Sequence, residues 1–108
     1  MREIKFRGKR IDNGEWVYGY YYFDKFLKID WIGFDNEWHE VEKESVGQFT
    51  GLQDNNGKDI YEGDICNDGK HIGVVEYSSG QYNIGGWAIN FRINLNEVIG
   101  NIHDDYEL

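Results

Sequence analysis

Glu15-Trp16-Val17-Tyr18-Gly19-Tyr20-Tyr21-Tyr22-Phe23 is the stretch on which the fold turns. Side chains alternate between the two faces of a strand. Trp16, Tyr18, Tyr20 and Tyr22 therefore line one face, and Val17, Gly19, Tyr21 and Phe23 line the other. Both faces are apolar, which predicts a strand that is central in its sheet or covered by a partner surface. Asp12-Asn13-Gly14, just ahead of it, is a hairpin signal, because Asn-Gly supplies residues that tolerate positive φ. Before that turn, Ile4 and Phe6 alternate with Lys5, Arg7 and Lys9, the period-2 pattern of a half-buried strand.

Downstream, Phe26 to Phe34 is a second apolar run interrupted by Lys28 and Asp30. Asp35-Asn36 makes a turn, Trp38 to Val41 returns as a short strand, and Glu40 to Glu44 is a charged connector with room for one helical turn. From Val46 onward, strands are expected at Val46–Thr50, Ile65–Cys66, His71–Tyr77, Tyr82–Ile84, Trp87–Ile93 and Glu97–His103. Turns at Gln53–Lys58, Tyr61–Asp64, Asn67–Lys70 and Ser78–Gln81 separate the first four of these from one another and from the central block. Asn94 with Glu97 also fits the cap of a short helix ending at Gly100. Composition agrees with strands: Ile and Val number 18, Ala and Leu only 5. Branched and aromatic side chains suit a pleated surface, and the best helix formers are nearly absent. The expectation is an all-β chain of meandering hairpins forming a small barrel or sandwich.

The formal charge of −9 is uneven. Residues 1–10 hold Arg2, Lys5, Arg7, Lys9 and Arg10 against Glu3, a net of +4, so the rest carries −13. An acidic chain is a poor non-specific binder of phosphate backbones, which need clustered Lys and Arg. Cys66 is the single cysteine. No intramolecular disulfide is possible, and a small buried hydrophobe is its simplest role. No apolar run follows Met1, so neither a secretory signal nor a membrane span is expected, and the compartment expected is the cytoplasm.

No residue pattern carries catalytic chemistry. Asp54, Asn56 and Lys58 start like a calcium loop, but Lys58 stands where a third oxygen ligand belongs and Gly57 comes too early. Asp59, Glu62 and Asp64 are acids within a turn, which does not hold carboxylates across a cleft. Asp64 after Gly63 is better read as a turn residue bonded to local backbone. His39, His71 and His103 are scattered singly, without the spacing of a metal site. No enzymatic activity and no cofactor are expected.

The stretch Val46-Gly47-Gln48-Phe49-Thr50-Gly51-Leu52, then Asp54, Asn56-Gly57-Lys58 and Ile60-Tyr61-Glu62-Gly63-Asp64-Ile65, resembles the YopX family of phage and prophage proteins. Ile4 to Lys9 and Val98 to Ile102 are similar to the family's two ends, so the resemblance spans the chain. It implies a single all-β domain over 1–108, with 1–45 an N-terminal β meander and 46–108 an SH3-like barrel portion. It implies no activity and no catalytic residues.

Function is therefore expected on surfaces. Trp16, Tyr18, Tyr20, Tyr21 and Tyr22 form a candidate protein interface, because surplus aromatic surface marks protein–protein contacts. The expected partners are the chain itself, as a homo-oligomer, and an unidentified phage or host protein. The rival reading is nucleic-acid binding through Lys5, Arg7 and Lys9, which project from one strand face at steps of ~6.6–7 Å. Pairing of these cations with the acidic remainder is the simpler account of them.

Overall fold

The computed structural model describes residues 5–67, 69, 72–78, 80–85, 87–88 and 97–104. Arg2, Ile4, Asp68, Lys70, His71, Gly86, the end of the Trp87–Ile93 stretch, the alternative cap at Asn94 and the tail from Asp105 lie outside the described residues. The all-β expectation holds. The chain forms two compact units, residues 1–49 and 50–108.

The first unit carries β1 (Phe6–Lys9), β2 (Trp16–Asp24), β3 (Ile29–Phe34), β4 (Glu37–Val41), a short 3-10 turn (Lys43–Ser45) and the start of β5 (Gly47–Gln53). Its strands lie in the order β4-β3-β2-β1-β5, all antiparallel where registered. The Asn13-Gly14 turn behaves as its sequence predicts. Gly14 takes φ 72, its N–H donates to the Arg10 carbonyl at 3.0 Å, and Arg10 N–H donates to the Glu15 carbonyl at 2.9 Å. β2 is central, between β1 and β3.

The Phe26–Phe34 run is not one strand. Asp24 Oδ1 accepts the N–H groups of Phe26 (2.9 Å) and Leu27 (3.0 Å), and Lys28 turns through φ 56. Those N–H groups are occupied by a side-chain cap, so pairing begins only at Ile29. The charged connector forms its helical turn as 3-10, and it ties the end of β4 back to β1. Glu42 N–H donates to the Lys9 carbonyl at 2.9 Å, Ile11 N–H to the Glu40 carbonyl at 3.1 Å, and Lys9 N–H to Ser45 Oγ at 2.7 Å. Arg10 bridges Val41, so the sheet curls, with Ile32 and Val41 buried inside the curve.

The second unit contains the rest of β5, then β6 (Asp59–Tyr61), β7 (Asp64–Asn67), β8 (Ile72–Ser78), β9 (Gln81–Ile84), β10 (Trp87–Ala88) and β11 (Glu97–Asn101). β7 to β10 are hairpin-linked neighbours, and β11 pairs with the free side of β7, giving β10-β9-β8-β7-β11. Glu97–Asn101 is thus a strand, with a bulge between Val98 and Gly100, and not the end of a capped helix. Ile60, Cys66, Val75 and Tyr82 are buried together, with Leu52, Ile84 and Val98 packed against them. No closed ring of strand pairings runs through the described residues of this unit. The two compact units divide within β5, whose Gly47 and Gln48 pair with Arg7 and Phe6 of β1.

Backbones in the first unit approach more closely than side chains allow. A Cβ on Gly33 would sit 2.2 Å from the Glu37 carbonyl oxygen and 2.7 Å from Trp38 Cα. Gly33→Ala is expected to destabilise the chain by about 2–3 kcal/mol in urea titrations, the upper range of overpacking costs. Gly14→Ala, where nothing lies within 4 Å, should cost only the left-handed strain of ~1–2 kcal/mol.

Candidate functional site

Residues directly opposite in an antiparallel ladder share a face. β2 pairs Tyr18 with Arg7 and Trp16 with Lys9 on one side, and Tyr20 with Gly33 and Tyr22 with Trp31 on the other. β4 adds Trp38 opposite Gly33 and Glu40 opposite Trp31. Trp16, Tyr18, Tyr20 and Tyr22 therefore occupy one face of the sheet with the basic residues of β1. Both candidate groups read from the sequence meet there. Tyr18, Tyr20 and Tyr22 remain 52%, 53% and 57% exposed. Tyr20 also stacks on Phe34, ring centroids 6.1 Å apart.

Tyr21 belongs to the opposite face. Its ring lies against Phe6 (5.7 Å) and its hydroxyl donates a short hydrogen bond to the buried Asp30 carboxylate. Burial, then the Asp30 hydrogen bond and charge, push its pKa up to about 12, so it stays a protonated donor. The sequence set of five thus divides: four residues share the outer face, and Tyr21 is engaged across the curl.

Lys5, just ahead of β1, and Arg7 and Lys9 within it lie against aromatic rings. The Arg7 guanidinium sits 4.6 Å from the Trp16 ring centroid, Lys9 lies 6.0 Å from the same ring, and Lys5 4.9 Å from that of Phe49. Cation–π contacts of this kind contribute most when desolvated. Arg7 is only 6% exposed, which leaves Lys5 and Lys9 as the half-buried cations of this face.

Two further features escaped the sequence reading. The β2–β3 turn displays Phe26, 98% exposed, and Leu27, 64% exposed, between the exposed Lys25 and Lys28. The only signal for it was Asp24, a residue that caps local N–H groups. At the other end of the same hairpin, beside the β3–β4 turn, lies a hollow of about 470 Å³. Val17, Ile32 and Phe34 supply apolar lining, and Asp35, Glu37 and His39 supply polar lining. Asp35 takes φ 57 there, and Trp38 Nε1–H donates to its carbonyl at 2.9 Å, fixing the turn.

The dense block in the second unit is architecture. Asp54 Oδ1 accepts the N–H groups of Asn56 and Lys58, both at 2.9 Å, and Oδ2 accepts that of Val98 at 2.9 Å. Asp64 Oδ2 accepts the Tyr61 N–H at 2.8 Å, and Thr50 Oγ1 donates to the Ile60 carbonyl at 2.8 Å. Gly57 and Gly63 take positive φ (83 and 89), as the turns require, and Gly51 takes φ 87 within β5. Gly47 pairs with Arg7, Gln48 with Phe6, and Tyr61 is buried at the end of β6, beside the half-buried Glu62. Asp59 Oδ1 accepts from Gln53 Nε2 at 3.1 Å, so the acids here face separate local donors. Among the described residues no three His, Cys, Asp or Glu side chains gather as metal ligands.

The YopX protein family model matches residues 5–108. The chain belongs to the YopX family. No curated protein matches it. A crystal structure of protein EF1440 from Enterococcus faecalis is 23% identical to this YopX chain, covers 95% of each chain and superposes with a TM-score of 0.61, a likeness of fold. Among the described residues, no helix of this YopX protein is long and apolar enough to cross a membrane.

Two outcomes follow from the buried groups of the YopX block. Burial raises the Asp54 pKa, but the N–H groups of Val98, Lys58 and Asn56 and the Lys58 charge outweigh it, and the net shift is downward. A lowered folded pKa contributes stability above the ordinary carboxylate value near ~3.9, lost as pH falls through the folded value. Asp54→Asn should cost about 2 kcal/mol at pH 7, from the Val98 N–H left facing an amide, and should flatten the acid-induced loss below about pH 4 in urea titrations. Burial, with the Asp64 and Asp54 charges, pushes the Cys66 thiol up to about 12. Cys66 should not react with a colorimetric thiol reagent at neutral pH until the chain is unfolded.

Proposed function

We propose that this YopX protein is a non-enzymatic phage or prophage accessory protein that acts in the bacterial cytoplasm by binding proteins, a second copy of itself included, through the outer face of β2. The observation that carries the reading is the row Tyr18, Tyr20 and Tyr22, each half exposed on one sheet face. A backbone register with neighbours on both sides holds that row in place. Tyrosine offers large, stiff contact area with a polar tip, and is enriched at interface centres. A strand fixed on both edges presents that area with little ordering entropy left to lose. The acidic loops elsewhere bond their own backbone, which supports a surface role over a catalytic one.

A second reading has one observation in its favour. Lys5 and Lys9 lie on the same face as the tyrosine row, and cations beside exposed rings are how single-stranded nucleic acid is held. Against it stand the burial of Arg7 and the net charge of −9.

Sedimentation velocity separates them. Tyr20→Ala with Tyr22→Ala should abolish self-association while leaving the melting temperature within a few degrees, since both side chains are exposed. Association unchanged in that variant would overturn the protein-binding reading of this face. Fluorescence anisotropy with labelled single-stranded DNA and RNA should show no binding at low salt. Binding that falls steeply with added salt, and is lost in Lys5→Ala with Lys9→Ala, would favour the second reading.

A further inference from the structure

The β2–β3 hairpin carries an apolar, basic tip at one end and an apolar, acidic hollow at the other. At the tip, Phe26 and Leu27 project between Lys25 and Lys28. This is not a loose loop. The Asp24 carboxylate holds the N–H groups of both apolar residues, and Lys28 in the left-handed region completes the turn. A side chain presented by a fixed turn loses little freedom on docking. At the hollow, Val17, Ile32 and Phe34 form apolar lining, with Asp35 on the adjoining β3–β4 turn and Glu37 at the start of β4. Its volume, about 470 Å³, lies within the ~300–1,000 Å³ of sites that enclose small ligands, and is ample for two side chains.

We propose that the tip of one copy inserts Phe26 and Leu27 into the hollow of a second copy, with Lys25 and Lys28 facing Asp35 and Glu37. The inference rests on the self-association reading above and specifies its geometry. Charge complementarity selects the occupant, because lysines flank apolar residues at the tip and acids flank apolar residues at the hollow. Geometry agrees. Tip and hollow stand at opposite ends of one hairpin, roughly 20–25 Å apart at ~3.3 Å per residue. A two-fold axis across the middle of that hairpin brings each tip to the other copy's hollow. Such an interface is isologous: one contact, made twice.

The test is charge reversal and rescue on the full chain, followed by sedimentation equilibrium and light scattering. Phe26→Ala should raise the dimer dissociation constant by at least about thirtyfold, as a central anchor does. Phe26 is almost wholly exposed, so the variant folds as the parent does. Lys25→Glu with Lys28→Glu, and separately Asp35→Lys with Glu37→Lys, should each weaken self-association at least about tenfold. An equimolar mixture of the two reversed chains should regain it as a heterodimer, because both tip–hollow pairs are then of opposite sign. A parent chain that dimerises, loses the dimer in Tyr20→Ala with Tyr22→Ala, yet ignores Phe26→Ala and both reversals would overturn the tip proposal alone. A mixture that stays dissociated would also overturn it. A parent chain that is monomeric at every concentration would overturn both this proposal and self-association through the β2 face.

Discussion

Three strands of the first unit cross at a point where only backbone fits. A Cβ on Gly19 would lie 2.4 Å from the Gly33 carbonyl oxygen, and one on Gly33 would lie 2.2 Å from that of Glu37. The side-chain period of a strand is two residues, so a slip of one would send every β2 ring to the other face. Such a slip would also carry a side chain into this contact. Glycine at 19 and 33 therefore acts as a steric lock on register. With the register locked, Ile32 and Val41 are held inside the curl, Tyr21 meets Asp30, and Tyr18, Tyr20 and Tyr22 are turned outward. The outer face exists because the inner one is specified so tightly.

Arginine 7 shows how that lock reaches the charged strand. Facing Tyr18 in the ladder and stacked on Trp16, it is almost fully buried although it is a cation in a run of cations. A ring with its negative face turned toward the guanidinium offsets part of the lost hydration. The basic N-terminal segment is thus as much a packing element as an electrostatic one.

The second unit uses its polar residues differently. Asp54 alone binds three N–H groups, one of them on β11, far along the chain, and so fastens a turn to a strand 44 residues away. Over shorter spans, Asp64 accepts the Tyr61 N–H and the Thr50 hydroxyl donates to the Ile60 carbonyl. An acidic turn that seems rich in chemistry is occupied by its own backbone. Buried polar groups need partners, and a turn supplies N–H donors in plenty.

Much of this was readable residue by residue. The alternation in Trp16–Phe23 assigned faces correctly, Asn13-Gly14 and Asn56-Gly57 marked real turns, and the family resemblance over Val46–Ile65 located the polar block. These succeed because strand periodicity and turn chemistry are local properties of the chain. What the sequence could not say is which aromatic residues stay exposed, that Arg7 is buried, or that Phe26 and Leu27 crown a turn instead of entering a strand. It could not place the Asp35–Glu37 hollow at the opposite end of the hairpin either. Each of those depends on which strand lies beside which, and on one capping carboxylate winning N–H groups that the ladder would otherwise have used. Local pattern determines what a residue is able to do, and only the tertiary register decides which neighbour it does it with.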